Sequence, residues 1–281
     1  MRPNQNHSVV IPAYFLYCAV ISPLYPQTGF RPLLMAIVAI AIYVAVQKTE
    51  FLWHWVYLAF TLAAYREMDW FTPPSKDHHL ENVWITWDRW LLHDFGLQRG
   101  IEAFGSALPS LLEASYLLVY AVGPLALAIL YMEKRPERAG TLLVYYQTAT
   151  LIAYALFPYF PSDPPRVVFP GTDLPTITNW VRSSNLVLVN GYGIHSSVFP
   201  SAHVSSAFGA AFGMLAAIPE KKWVGCCLLV YATLVAFATV YGRYHYAIDA
   251  VAGFLLAVAV AVVLSRRKKV PDADLKAGTA T

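Results

Sequence analysis

Charge is what this sequence has least of. Only 13% of its 281 residues are Asp, Glu, Lys or Arg, while 57% are hydrophobic, too few charges to solvate a globular surface of that size. The composition excludes an ordinary water-soluble domain and fits a bilayer as solvent. Cysteine is scarce too. Cys18, Cys226 and Cys227 are the whole set, and the last two are adjacent within an apolar run, so neither a disulfide framework nor a metal-ligand spacing exists. Net charge is only +3, and the basic residues fall in short clusters between apolar runs, which argues against a nucleic-acid partner. The first apolar stretch carries Pro12 and Pro23 without a clear small-residue cleavage site, so it is expected to be retained rather than cleaved as a leader.

What the sequence does have is long apolar runs. A helix of about 17–25 residues crosses a hydrocarbon core, and that template predicts spans over roughly 8–25, 31–47, 51–66, 110–132, 141–160, 200–218, 222–241 and 245–265. The expected fold class is all-α, a polytopic membrane helix bundle with a six-span core and about two N-terminal spans. The expected division is membrane segments over 1–50, a catalytic membrane domain over 51–265 and a cytoplasmic tail over 266–281, polar and disordered after Val270.

The short loops 133–140, 219–222 and 265–269 are dense in Lys and Arg, and eight spans put all three on one side. The positive-inside rule makes that side cytoplasmic in a multi-pass protein of the cell membrane. The long connections 66–110 and 161–199 then face the non-cytoplasmic side, where the chemistry is expected. Within the first, Val83, Trp87, Trp90, Leu91 and Asp94 stand at mixed three- and four-residue spacing, as in an amphipathic helix lying at headgroup depth.

Three segments carry chemistry. Ser201 is a favoured N-cap, which puts His203 in a first helical turn, where backbone N–H groups and the dipole hold anions. His245 and Asp249 are four apart, one above the other on a helix, so the carboxylate can fix the imidazole tautomer and leave the other nitrogen as a nucleophile. Arg166 follows a proline-rich exit from a span and suits a phosphate. Each also has a plainer reading: His203 as an interfacial hydrogen-bonder, Arg166 as a headgroup contact, the Asp249 pair as structural glue. The predicted topology brings all three to one face. A transporter with an ionisable path is the rival class, but such a path needs charges through the depth of the membrane, and here the middles of the spans are clear.

At these residues the sequence resembles the type 2 phosphatidic acid phosphatase superfamily. Pro200-Ser201-Ala202-His203 matches the family's Pro-Ser-x-His motif, and His245 with Asp249 matches its His-x-x-x-Asp motif. The Phe-Pro-Ser-Ala-His-Val and His-Tyr-Ala-Ile-Asp wording, with Gly253 after it and Pro-Pro-Arg following a span, is most similar to the branch containing inositol phosphorylceramide synthases. The likeness covers residues 141–265. It implies a lipid substrate whose phosphoester or phosphoanhydride is cleaved through a phosphohistidine on His245, oriented by Asp249. It further implies His203 as acid and base, Arg166 and Ser201 at the phosphate, water or an alcohol as acceptor, and neither metal nor cofactor. Two phosphatase cations are absent: Tyr159 stands where a lysine is expected and Thr239 where an arginine is. Arg243 is the candidate to fill the vacancy, followed by Arg66 and Arg89, and His195, Glu113 and Tyr116 are candidates to line the site.

Overall fold

A computed structural model describes residues 9–46 and 50–267. Among them every regular element is helical: α1 (Val10–Ile21), α2 (Arg31–Val46), α3 (Glu50–Glu67), α4 (His79–Arg89), α5 (Leu97–Glu102), α6 (Ala107–Leu118), α7 (Val122–Met132), α8 (Ala139–Leu156), α9 (Pro165–Val168), α10 (Trp180–Tyr192), α11 (Ala202–Ala217), α12 (Lys222–Tyr241) and α13 (Ala247–Arg267). The all-α bundle expected from composition is what the chain forms. The tail beyond residue 267 lies outside the described residues.

Four stretches are long and apolar enough to cross a membrane: Ala107–Met132, Pro136–Tyr159, Pro219–Tyr241 and Ala247–Arg266. They coincide with four of the eight expected spans. Three others, Val10–Leu24, Arg31–Val46 and Ala202–Ala217, form shorter apolar helices. The eighth, α3, is 18 residues long and bears His54, Arg66 and Glu67 among its apolar residues.

The shortness of α11 has a physical cause. Its 16 residues rise about 24 Å, less than a ~30 Å hydrocarbon core, because the helix sits inside the bundle rather than against lipid. Ala207, Ala210, Ala211 and Met214 are fully buried. Gly209 and Gly213 face α8 so closely that a methyl at Gly213 would stand 2.8 Å from the Leu142 carbonyl oxygen. Small residues four apart let two helix backbones approach where apolar burial alone gives little drive to associate. Leu127, Leu142, Ala149, Ala232 and Val235 complete the core around α11. A second core joins α1 to α3 and α8 through Phe15, Phe60, Ala64 and Leu151.

Ion pairs sort the two ends of the bundle. At one, Arg138 reaches the Ala217 carbonyl (2.9 Å) and Glu220 (2.6 Å), and Lys221 pairs with Glu133. At the other, the long connections fold over the helix ends. There α4 continues through a π-helical turn, Trp90–Asp94. It exposes Val83, Trp87 and Trp90 and buries Glu81, Trp84, Ile85 and Asp88, the amphipathic helix its spacing predicts. Asp88 holds Arg243 at 2.6 Å, both side chains 1% exposed, and also accepts the Ala247 N–H at 2.8 Å.

Two close approaches hold this end in register. The Ser201 N–H donates to the Asp249 carbonyl at 2.9 Å, and a side chain at Gly253 would collide with the Ser201 carbonyl oxygen. Gly253→Ala is therefore expected to lower the thermal unfolding midpoint in detergent by several degrees, whereas Gly191→Ala, on the open face of α10, leaves it unchanged or higher. Asp88→Ala strands Arg243 without a counter-charge and is expected to cost about 3–5 kcal/mol, read as a far larger drop in the same melting experiment than Asp88→Asn gives.

Candidate active site

The catalytic candidates meet where α11 begins and α13 begins. Ser201 caps α11 through its Oγ, which accepts the Val204 N–H. A helix start leaves its first amides without intrahelical partners, and His203 stands among them. Its ring lies between Tyr116 and Tyr120, with centroids 5.1 and 5.2 Å away. His245 comes from the turn between α12 and α13. Its N–H and that of Tyr244 both donate to the Thr239 carbonyl, at 3.0 and 2.9 Å, so Thr239 shapes the turn through its backbone while its Oγ1 bonds Ala236.

The imidazole contacts are specific. His203 Nδ1 lies 3.2 Å from His245 Nε2. His245 Nδ1 lies 3.0 Å from the Val198 carbonyl and 3.3 Å from Asp249 Oδ2. A carbonyl only accepts, so the His245 proton is assigned to Nδ1, and Nε2 keeps a lone pair. Asp249 Oδ2 also accepts the Tyr246 N–H at 2.9 Å, while its Oδ1 is buried with no partner among the described residues.

Arg166, on α9, lines a cavity of about 50 Å³ together with His203, His245, Tyr116 and Tyr244. Its guanidinium carbon is 5.8 Å from the Tyr244 ring centroid, and its Nε is a buried donor with no partner among the described residues. Behind Tyr244 lies a closed polar network. Glu113 accepts from Arg182 (2.7 Å), Asn185 (2.7 Å) and the Tyr244 hydroxyl (2.7 Å), and Tyr244 stacks on Tyr116 at 3.9 Å.

Of the residues picked from sequence, then, His203, His245, Asp249, Ser201 and Arg166 gather at one point, and Tyr116 joins them. The others stand apart. Arg243 is committed to Asp88. Arg66 and His195 both pair with Asp69, at 3.4 and 3.2 Å, and Arg66 also bonds the Tyr192 carbonyl. The Tyr159 hydroxyl accepts from Tyr17. Arg89 pairs with Asp173, and Glu113 supports Tyr244 from behind.

The connection carrying Arg166 is strapped down along its length. Lys76 bonds Asp163 (2.6 Å) and the carbonyls of Ser162 and His195. Glu81 accepts the Asp163 N–H (2.9 Å), and Glu102 accepts from Thr176. Asp173 accepts from His93 and Arg89, both at 2.9 Å; partial burial pushes its carboxyl up, but those two bonds outweigh it and hold it below the usual carboxylate range. Lys76, Asp88, Arg182 and Tyr244 escape sequence reasoning. The signal for Asp88 was present, since Glu81, Trp84, Ile85, Asp88 and Leu92 share one helical face.

Residues 83–263 match the PAP2 superfamily, whereas no curated protein and no solved structure matches the chain. The matched stretch is well over half of the protein, begins on α4 and ends within α13, and so contains every element that supplies His203, His245, Asp249 and Arg166. On that match, and with the apolar helices that mark it as a membrane protein, the chain belongs to the PAP2 superfamily, whose members are phosphatases and phosphotransferases.

Proposed function

We propose that the protein cleaves the phosphoester or phosphoanhydride of a membrane lipid through a phosphohistidine on His245. The observation that carries this reading is the lone pair left on His245 Nε2 by the Val198 carbonyl at Nδ1, on a residue that lines the same cavity as Arg166. Nε2 attacks phosphorus, and the N–P bond forms as the P–O bond to the leaving group breaks. The leaving oxygen takes a proton from His203. His203 then removes a proton from water or an alcohol, whose oxygen attacks phosphorus and breaks the N–P bond. Asp249 Oδ2 offsets the positive charge that attack places on the His245 ring. Arg166 and the first-turn amides of α11 neutralise charge on the phosphoryl oxygens, so the reading needs no metal.

At rest His203 occupies the space in front of Nε2. A separation of 3.2 Å cannot hold a phosphorus between two nitrogens, so substrate must displace the His203 ring. The site lies at the end of the bundle opposite Arg135, Arg138 and Lys221, and the positive-inside rule puts it on the non-cytoplasmic side of the cell membrane.

Transfer to a lipid alcohol, as in the inositol phosphorylceramide synthase branch, is the second reading. One observation favours it: among the residues lining the small cavity Arg166 is the one permanent cation, with Tyr159 and Thr239 uncharged and Arg243 bound to Asp88. A single guanidinium balances a singly charged phosphodiester better than a dianionic monoester.

His245→Ala is expected to abolish both phosphate release and lipid transfer, measured on purified protein with lipid phosphates and phosphodiesters and with alcohol acceptors. Asp249→Asn leaves the Val198 carbonyl holding the tautomer, so kcat should fall by only about 10–100-fold with substrate binding retained. Undiminished turnover by His245→Ala would sink the mechanism. Quenching a ³²P-labelled lipid reaction should leave an acid-labile, alkali-stable label on the protein that the His245→Ala variant lacks, and EDTA should not prevent it.

A further inference from the structure

The end of α3 is bonded to the backbone of residues 192–195 in sequence. Arg66 Nη1 donates to the Tyr192 carbonyl at 2.9 Å and reaches the Gly193 carbonyl at 3.4 Å. The Ile194 N–H donates to the Tyr65 hydroxyl at 3.2 Å, and the His195 N–H donates to Asp69 Oδ1 at 2.9 Å. These bonds fix where the Tyr65 ring stands, and the rings of Tyr154 and Tyr192 flank it, each with its centroid 5.8 Å away.

That place is on the wall of the site. Tyr65 lines the small cavity together with Arg166, His203 and His245, and it reaches a second cavity of about 290 Å³ that His203 also borders. A phenol oxygen accepts and donates at once. The Ile194 N–H occupies a lone pair of the Tyr65 oxygen, and the phenolic proton has no acceptor among the described residues. The other phenols of the small cavity are engaged with protein groups: Tyr244 gives its proton to Glu113 at 2.7 Å, and Tyr116 and Tyr120 are hydrogen-bonded to each other. A neutral donor held in place beforehand stabilises charge gathering on a phosphoryl oxygen without a cost of reorganisation. The site has use for one, because Tyr159 and Thr239 are uncharged and Arg243 and Arg66 are paired with Asp88 and Asp69.

We propose that the Tyr65 hydroxyl is a catalytic hydrogen-bond donor to a non-bridging oxygen of the phosphoryl group, an uncharged group that works beside Arg166 where a second cation is absent. The proposal rests on the phosphoryl-transfer reading and adds to it a residue of α3, which precedes the matched stretch 83–263.

The test compares the purified full chain in detergent with its Tyr65→Phe and Arg66→Met variants. Tyr65→Phe removes the donor and keeps the ring. Arg66→Met removes the bonds to Tyr192 and Gly193, which loosens the same loop while the phenol stays. kcat and KM are measured on lipid phosphates and phosphodiesters, and binding of orthovanadate, which adopts the geometry of phosphate under attack, is followed by ⁵¹V NMR without turnover. Tyr65→Phe is expected to lower kcat by about 100-fold with KM within about threefold, and to weaken vanadate binding by about tenfold. Arg66→Met should lower the melting midpoint at least as far as Tyr65→Phe does, yet leave vanadate binding within about twofold of wild type.

Unchanged kcat and vanadate affinity in Tyr65→Phe overturn the proposal and leave the phosphohistidine reading standing. Equal weakening of vanadate binding in Arg66→Met does the same, since it assigns the effect to the loop. Weakening in Tyr65→Phe alone, with no phosphate ester turned over by wild type, supports the donor and refutes the phosphoryl-transfer reading. Wild type that binds no vanadate and turns over no phosphate ester overturns both.

Discussion

The contact on which the site depends is the approach of the start of α11 to the first turn of α13. The Ser201 N–H to Asp249 carbonyl bond joins the residue that caps one helix to the residue that orients the histidine on the next. It forms only because Gly253 presents no side chain to the Ser201 carbonyl. A shift of one ångström there would separate His203 from His245, since their 3.2 Å contact has no slack. The small residues of α11 serve the same end, since Gly209 and Gly213 let it sit against α8 while its N-terminus stays at the depth of Arg166.

Most of the positive charges described at the site end are structural, and Arg166 lines the small cavity. Lys76 and Arg89 fasten the connection that carries Arg166, and Arg243 with Asp88 braces the turn before α13. Arg182 is neutralised by Glu113 behind Tyr244. Charges buried at the edge of a bilayer need partners or they cost several kcal/mol each. Arg166 departs from that pattern, because its Nε has no partner and it faces the cavity. Arg243 also has two unpartnered buried donors, Nε and Nη2, but its Nη1 is held by Asp88, whereas Arg166 lines the small cavity.

The fold class and the two histidine motifs were legible because both are local. Apolar runs of span length report on the bilayer, and the spacing of four brings His245 to Asp249 at 3.3 Å, although His245 sits in the turn ahead of α13 and not on its face. The partners of cations were not legible. Arg243 is two residues from His245, and nothing in the sequence says that its side chain turns to Asp88, 155 positions away. The same holds for Val198, whose contribution to the His245 tautomer is a backbone carbonyl and has no residue type to announce it. The length of α11 misled the span template in a modest way: a helix enclosed by others need not match the hydrocarbon thickness, so its 16 residues still belong to the membrane bundle. The brace on Asp88 was within reach, since its helical face is polar only at Glu81 and Asp88 amid Trp84, Ile85 and Leu92.

The placement of His203 between two cavities couples binding to chemistry. An imidazole that touches His245 Nε2 guards the nucleophile from water until something displaces it, and His203 borders two cavities from which that can happen. The free energy that shifts the ring is then drawn from contacts away from the reacting bond and used at the reacting centre.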